Sequence, residues 1–252
     1  MELEKIGKFD FQVEEGQTED GHLTLSAMVS KMLDVACRHA DERGFGLGIF
    51  ADKDAFRHRQ ITWVMSRLAY EIYEMPAAGE PFTIVSWVEN IYRQFTNRCF
   101  EIQNKEGKVI GYARSIWAMI DMESRKSIDL HELYGENLEH YASDRSCPIE
   151  GPARIRMTAP EQVAEYPVVE ADIDFNGHVN SVRYIEHILS LFKDSSFHPT
   201  GNVSRLDIAY VTEALLGDTL RYFIQKDAED LYSVEIKNQK DQVICRTLLK
   251  FS

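Results

Sequence analysis

The residues best suited to chemistry lie in one short stretch of the second half of the chain. Residues 172–180 read Asp-Ile-Asp-Phe-Asn-Gly-His-Val-Asn, with a polar side chain at every second position. Side chains alternate between the two faces of an extended backbone, so an extended conformation would place Asp174, Asn176 and His178 on one side. A carboxylate, an amide and an imidazole that converge can orient one another and bind a carbonyl group. The stretch therefore indicates a candidate acid–base site.

An amphipathic helix is predicted directly after this stretch. Asn180 is suited to cap its first turn, and its apolar stripe consists of Val182, Ile185, Ile188, Leu189 and Phe192. The free backbone N–H groups and the positive dipole end of a helix N-terminus favour a developing oxyanion. Gly177 would let a ligand approach the backbone closely. The helix start therefore adds an anion-stabilising element to the candidate site.

The same residues also have a purely structural interpretation. Asp174 and Asn176 are residue types that form turns, and Asn180 would then be a helix cap alone. His178 would be a structural histidine whose hydrogen bonds are satisfied within the fold. The residue types by themselves leave both interpretations open.

The chain repeats one pattern of elements. An extended segment from Phe11 leads through residues 21–23, Gly-His-Leu, into an apolar helix, and one from Tyr166 leads through residues 177–179, Gly-His-Val, into another. Further matches follow in the same order, residues 67–68 with 205–206 and residues 101–104 with 235–238. An ungapped comparison places Thr18, Asp20 and His22 where the second copy has Asp174, Asn176 and His178. Matches in one consistent order indicate a duplication.

Each copy predicts one helix followed by several antiparallel strands, which is an α+β pattern. The first helix is predicted to begin after Thr24, and its apolar stripe consists of Leu25, Met28, Val29, Met32, Leu33 and Ala36. Residues 66–72 and 82–88 have strand character. Residues 143–165 contain Pro148, Pro152 and Pro160 without periodicity. We therefore predict an N-terminal domain over 1–142, a linker over 143–165 and a C-terminal domain over 166–252.

The composition is that of a globular protein with an acidic surface. Of 252 residues, 44% are hydrophobic and 27% are charged, and the formal net charge is −13. This sign disfavours a nucleic-acid partner, and no apolar run is long enough to predict a membrane span. The four cysteines form no Cys-x-x-Cys pair, so neither a zinc site nor a disulfide framework is suggested. We expect no metal and no cofactor. With no signal-peptide pattern at the start, we expect a cytoplasmic protein.

The stretch 172–180 resembles the Asp-x-Asn-x-His-Val-Asn signature of the acyl-ACP thioesterases, the plant FatA/FatB type and its bacterial relatives. Residues 61–80 are similar to that family's Trp-Val…Glu-Ile…Tyr-Pro-x-x-Gly-Asp stretch, and residues 208–214 lie where the family carries Glu-Tyr-Arg-Arg-Glu-Cys. The resemblance implies two tandem hot-dog domains, each a long helix wrapped by an antiparallel sheet. It also implies hydrolysis of acyl-ACP thioesters to free fatty acid and carrier protein, which ends or diverts fatty acid synthesis.

The resemblance implies that the catalytic residues are Asp174, Asn176, His178 and Glu213. Plant members have cysteine directly after that glutamate, whereas this chain has Ala214, so Glu213 has to act on water in place of a cysteine nucleophile. The first copy has Met75 where the second has Glu213. We therefore expect the chemistry in the second copy and an acyl pocket in the first. Candidate substrate-binding residues are Gly177, Asn180, Trp63, Met28, Met32 and Met75; for the methionines, plain core packing is the alternative.

The partner that the resemblance implies is acyl carrier protein, which is itself acidic. A chain of net charge −13 would need a local cationic surface to bind it. The candidates are Arg57, Arg59, Arg93, Arg98 and Arg114 in the first copy, with Arg154 and Arg156 in the linker. Dispersed arginines that are merely solvated are the alternative. Both a monomer and a homodimer are compatible with the sequence.

Three other functions stay open at this level. An acyl-CoA thioesterase would use the same fold and the same residues. A hot-dog hydratase or dehydratase resembles Asp-x-Asn-Pro-x-His instead, and this chain has neither that proline nor that spacing. A non-catalytic acyl-binding sensor is the third, and the presence of Glu213 argues mildly against it.

Overall fold

The computed structural model describes residues 5–46, 61–174, 176–194, 199 and 201–252. The chain divides into two units. Unit 1 contains Met1–Ser66 and Ile72–Gly151, and unit 2 contains Arg67–Glu71 and Pro152–Ser252. The segment 143–165 is therefore not one irregular linker, because its first part belongs to unit 1 and its last residues form a strand of unit 2. No helix in the described part of the chain is long and apolar enough to cross a bilayer.

Unit 1 is an antiparallel sheet with one long helix. Its elements are β1 (Ile6–Gln12), β2 (Thr18–Glu19), β3 (His22–Leu23), α1 (Leu25–Glu42), β4 (Ile61–Ile72), β5 (Pro81–Ile91), β6 (Phe95–Asn104), β7 (Val109–Asp121) and the short α2 (Leu130–Tyr134). The strand order is β1-β5-β6-β7-β4, and β2 and β3 form a separate two-stranded ribbon. The sheet neighbours are sequential except for β1 and β4, as expected of antiparallel meanders.

Helix α1 begins where the sequence predicts. The side chain of Thr24 accepts a hydrogen bond from the Ala27 N–H at 3.2 Å, which satisfies one of the unpaired amides of the first turn. The predicted apolar stripe is buried except for Leu33, which is half-buried. Large side chains of the sheet face that covers the helix are also fully buried, among them Phe82 and Phe100. The helix stripe and these aromatic residues supply the hydrophobic core of unit 1.

Unit 2 repeats this architecture. Its elements are β8 (Glu161–Pro167), α3 (Ser181–Asp194), β9 (Val203–Tyr210), β10 (Thr219–Ala228), β11 (Leu231–Lys237) and β12 (Val243–Phe251). Residues Arg67–Glu71 of β4 pair with β9, and the order then runs β9-β12-β11-β10-β8. The Asn180 side chain accepts the Val182 N–H at 2.9 Å, which confirms the predicted cap of α3. Each unit is thus a long helix covered by an antiparallel sheet, and the α+β prediction is confirmed.

Candidate active site

The first candidate residues lie in a tight turn and not in an extended strand. The Asp174 carboxylate accepts the backbone N–H of Asn176 at 2.8 Å and that of His178 at 3.4 Å. The Asp174 N–H in turn donates to the His178 carbonyl at 2.8 Å, and Gly177 adopts a φ of 81°. The prediction of an extended backbone is wrong, because an aspartate that bonds the amides following it folds the chain back on itself.

The base of the turn is closed by backbone contacts on both sides. Ile173 and Val179 form an antiparallel bridge, and the Asn180 N–H donates to the Asp172 carbonyl at 2.8 Å. Helix α3 begins at Ser181, immediately after Asn180. The turn therefore leads straight into the helix N-terminus, whose positive dipole end lies next to the candidate residues.

The structure brings His178 and Glu213 together. Nε2 of His178 lies 3.3 Å from Oε2 of Glu213, and the two side chains are 28% and 39% exposed. The reason lies in the backbone beside them, because the Val179 N–H donates to the Ala214 carbonyl at 2.9 Å. This bond holds Val179, which follows His178, next to Ala214, which follows Glu213. A carboxylate and an imidazole in contact, reachable from solvent and beside a helix N-terminus, form an arrangement suited to acid–base chemistry on an acyl group.

The remaining residues predicted in this region have different surroundings. Asn176 and Gly177 are exposed in the turn, and Asn180 caps α3. The Asp174 carboxylate bonds the backbone of the turn, so it fixes the position of His178 through the main chain. The turn-forming and the catalytic interpretations of these residues are thus compatible, because the turn places the imidazole beside Glu213.

Sequence reasoning missed a group of buried polar residues in the same unit. Asp172 is 3% exposed, and its carboxylate accepts the Val169 N–H at 3.0 Å. His187 of α3 lies with Nε2 3.7 Å from Asp172 and with Nδ1 2.8 Å from the hydroxyl of Tyr222. Burial lowers the pKa of His187. No sequence signal marked His187, because it lies away from the apolar stripe of the predicted helix and its partners come from other elements.

The predicted substrate-binding residues of unit 1 lie in or near its core. Met28 and Met32 are fully buried, and Met75 is half-buried. The indole N–H of Trp63 donates to the Phe45 carbonyl at 2.9 Å. These positions agree with core packing, and contact with an acyl chain stays a prediction.

The predicted docking arginines that the structure describes differ in burial and in partners. Arg57 and Arg59 lie outside the described residues. Arg98 is only 7% exposed, and its guanidinium lies 3.0 Å from Nδ1 of His39 and 2.9 Å from the hydroxyl of Ser86. Burial lowers the pKa of Arg98 to about 10. The prediction that Arg98 belongs to a docking surface is wrong, because the strand register turns this side chain into the interior of unit 1.

The other arginines differ in their exposure. Arg93 is exposed and pairs with Asp129 at 2.5 Å, whereas Arg114 is partly buried and pairs with Glu89. Arg154 and Arg156 are both exposed. Neither of these two forms an ion pair with another described residue, so a protein partner could reach both without first displacing one.

Comparison with known proteins gives one consistent family. The family model of the acyl-ACP thioesterase N-terminal domain matches residues 6–138, and that of the acyl-ACP thioesterase C-terminal domain matches residues 156–252. Oleoyl-acyl carrier protein thioesterase 1 of Arabidopsis thaliana, a chloroplastic protein, is 29% identical over 66% of this chain and 49% of its own length. A palmitoyl-acyl carrier protein thioesterase of the same plant is 22% identical over 68% of this chain and 43% of its own length. The chain spans about half the length of these curated relatives.

Two solved structures align along almost the whole chain. An acyl-ACP thioesterase from Bacteroides thetaiotaomicron VPI-5482 has 42% sequence identity and a TM-score of 0.87, with 98% of both chains covered. A 12:0-ACP thioesterase from Umbellularia californica has 16% identity and a TM-score of 0.81, with 99% of this chain and 98% of the other covered. At 16% identity, the similarity to the Umbellularia californica structure shows only that the two chains share a fold.

Proposed function

We propose that this chain, which belongs to the acyl-ACP thioesterase family, hydrolyses the thioester of an acyl group carried by acyl carrier protein. The products are a free fatty acid and the carrier protein with its thiol. The observation that carries the proposal is the 3.3 Å contact between His178 and Glu213 beside the N-terminus of α3. The acyl-ACP thioesterase named above, which is similar over 98% of both chains, supports the choice of substrate.

In this mechanism Glu213 is the general base. Its carboxylate takes a proton from a water molecule as the water oxygen attacks the thioester carbonyl, so a C–O bond forms. The negative charge moves to the carbonyl oxygen, where the N–H groups at the start of α3 and the Asn176 amide stabilise it. The Glu213 side chain is 39% exposed, so water can reach it.

The second step breaks the C–S bond. The tetrahedral intermediate collapses, and the thiolate leaves with a proton supplied by His178. The proton that Glu213 took from water returns to the imidazole across their contact, so the enzyme ends the cycle unchanged. Asp174 acts on this step through the main chain, since its carboxylate bonds the His178 N–H and orients the turn that carries the imidazole.

Replacing Glu213 tests the proposal directly. Free acid is measured from a series of acyl-ACP thioesters, and Glu213→Gln should lower kcat at least ~10²-fold because the base is lost. The melting temperature should stay unchanged, since the side chain is partly exposed. Glu229→Gln removes an exposed carboxylate elsewhere in unit 2 and is the matched control.

The same assay separates the competing functions. An unmodified protein that releases no acid from any acyl-ACP, yet binds it, would be a sensor and would refute hydrolysis. Acyl-CoA at equal chain length is the second substrate, and a higher kcat/KM for CoA would move the proposal to an acyl-CoA thioesterase. Near-wild-type turnover by Glu213→Gln would remove the base from the mechanism.

The carrier would bind through the exposed arginines before β8. Arg154→Glu combined with Arg156→Glu should raise the KM for acyl-ACP about 5-fold and leave the KM for acyl-CoA unchanged, because the charges attract an acidic protein surface. Arg93→Glu, which breaks a pair with Asp129, is the matched change in unit 1. We also keep the cytoplasm as the expected location, and either a monomer or a homodimer as the expected form.

A further inference from the structure

Helix α3 carries a buried tyrosine that contacts one of the two catalytic segments. Tyr184 is 3% exposed, and its hydroxyl accepts the Ala214 N–H at 3.3 Å. Ala214 is fully buried and follows Glu213 directly. Without the hydroxyl this backbone N–H would lack its acceptor inside the protein, which is unfavourable. Tyr184 therefore ties the segment that carries Glu213 to α3.

A second polar side chain of α3 contacts the other catalytic segment. His187 lies three positions after Tyr184, so both occupy neighbouring places on one side of the helix. Nε2 of His187 lies 3.7 Å from the Asp172 carboxylate, whose own backbone carbonyl accepts the Asn180 N–H. The hydroxyl of Tyr222, on β10, lies 2.8 Å from Nδ1. His187 therefore ties the base of the His178 turn to α3 and to the sheet.

The ring of His187 faces a hydroxyl and a carboxylate. Burial lowers the pKa of this imidazole, so it is neutral near pH 7 and carries one N–H. Nδ1 lies 2.8 Å from the Tyr222 hydroxyl, within hydrogen-bond distance, and Nε2 faces the Asp172 carboxylate at 3.7 Å. Asp172 also accepts the Val169 N–H at 3.0 Å, so its buried carboxylate has a hydrogen-bond donor.

Unit 1 has the same backbone frame without these polar contacts. The Leu23 N–H donates to the Pro76 carbonyl at 2.9 Å, as Val179 does to Ala214, so Pro76 takes the place of Ala214. Proline has no N–H to donate. By the same frame, Met28 takes the place of Tyr184 on the helix. The hydroxyl and the N–H that it binds are thus both missing from the unit that lacks the glutamate.

The second contact is replaced in the same way. The Thr24 N–H donates to the Gln17 carbonyl at 3.0 Å, as Asn180 does to Asp172. Lys31, whose ammonium lies 5.0 Å from the Phe11 ring centre, takes the place of His187, whose ring lies 4.2 Å from that of Tyr166. In the part of the chain that the structure describes, the contacts of Tyr184 and His187 therefore occur only in the unit that has the His178–Glu213 pair, although both units have the same fold.

We infer that Tyr184 and His187 are positioning residues that fix the Glu213 segment and the His178 turn to one helix, so that the carboxylate and the imidazole meet. This inference rests on the proposed function of that pair. The positioning residues touch neither substrate nor reacting atoms. We expect their effect in kcat, because they act through the placement of the carboxylate and the imidazole.

The test compares Tyr184→Phe and His187→Gln with matched changes in unit 1. Each should lower kcat for acyl-ACP about 10-fold with KM within twofold, because a small misplacement of the pair slows the chemistry. Tyr222→Phe removes the partner of His187 and is the second variant should His187→Gln fold poorly. Tyr134→Phe, which loses a hydroxyl bond to the Phe45 carbonyl in unit 1, and Lys31→Gln should leave kcat unchanged.

Two further measurements distinguish positioning from general stability. In a Glu213→Gln background, Tyr184→Phe should cause no further loss, because it acts through Glu213. A full 10-fold loss in that background would overturn the inference, as would kcat within twofold of wild type for both α3 variants. Amide hydrogen exchange should accelerate at Ala214 in Tyr184→Phe and at Asn180 in His187→Gln. Hydrogen exchange can be measured without turnover, so it tests the positioning role independently of the proposed function. If the wild type releases no acid, the proposed function fails. If exchange at Ala214 and Asn180 is unchanged in the variants, the positioning role of Tyr184 and His187 fails.

Discussion

The turn before α1 and the turn before α3 have the same backbone frame but different contents. Each ends in a capped helix, and each contains a glycine with positive φ, 77° at Gly21 and 81° at Gly177. The bridge at the base joins Thr18 to Leu23 in unit 1 and Ile173 to Val179 in unit 2, so the second turn is one residue longer. The two turns therefore share their backbone hydrogen-bond pattern although they differ in length by one residue. This shared pattern is not sufficient to form a catalytic site.

The extra residue corrects the ungapped comparison of the two copies. Thr18 corresponds to Ile173 and not to Asp174, and the position of Asp174 is taken by Glu19, which pairs with His22 in the ribbon of β2 and β3. Unit 1 has a histidine in this position, but it has Glu19 in place of Asp174 and Met75 in place of the glutamate opposite. The comparison teaches that the histidine becomes useful only when a carboxylate shapes its turn and another carboxylate faces its ring.

Removing each histidine gives the largest expected contrast. His178→Ala should lower kcat for acyl-ACP at least ~10²-fold, because the proton route to the leaving thiolate is lost. His22→Ala should leave kcat within twofold, since Met75 stands where a base would be needed. The measurement is free acid released under saturating substrate. Equal losses in the two variants would show that unit 1 takes part in the chemistry, which would break the comparison.

The aspartate within the turn gives an intermediate effect. Asp174→Ala should lower kcat about 30-fold, because the turn loses the acceptor for the Asn176 and His178 amides. Asp174→Asn keeps an acceptor oxygen and should lose less than about 5-fold. If the asparagine variant is as slow as the alanine variant, the negative charge of Asp174 matters more than its shaping of the turn.

The smallest effect concerns the pH dependence of stability, and it compares His187 with Lys31. The pKa of His187 is lowered from its ordinary value of 6.5, mainly by burial, while Asp172 and Glu186 raise it and Arg183 lowers it further. The unfolded chain therefore binds the proton more readily than the fold does. Stability that depends on neutral His187 is present above about pH 6.5 and is lost as the pH falls through the lower folded pKa.

This linkage can be measured by thermal melting at about pH 7 and about pH 5. The neutral groups that face His187 are Tyr166 and Tyr222. The wild type should lose more melting temperature over this interval than His187→Gln, while Lys31→Gln should follow the wild type. If the melting temperature of His187→Gln falls as much as that of the wild type over this interval, the protonation of His187 is not linked to folding.

The local part of the structure was predictable from the sequence. The duplication and the α+β class follow from the order of elements along the chain. Both helix caps and the apolar stripes of α1 and α3 follow from residue types at short spacing. Such features depend on contacts within a turn or two of the chain, where propensity and periodicity act directly. The residues of the candidate site were also identified from the sequence, although their roles stay predictions.

The arrangement of the site was decided by the tertiary structure. The meeting of His178 with Glu213, the burial of Arg98 and the contact of His187 with Asp172 each join side chains from separate elements. Residue types and local periodicity do not specify which strand register or helix face will bring such groups together, because that outcome depends on how the whole core packs. The sequence alone thus determined which elements form and which residue types are available for chemistry. Only packing determined which of those residues touch, since burial and long-range hydrogen bonds are properties of the folded chain as a whole.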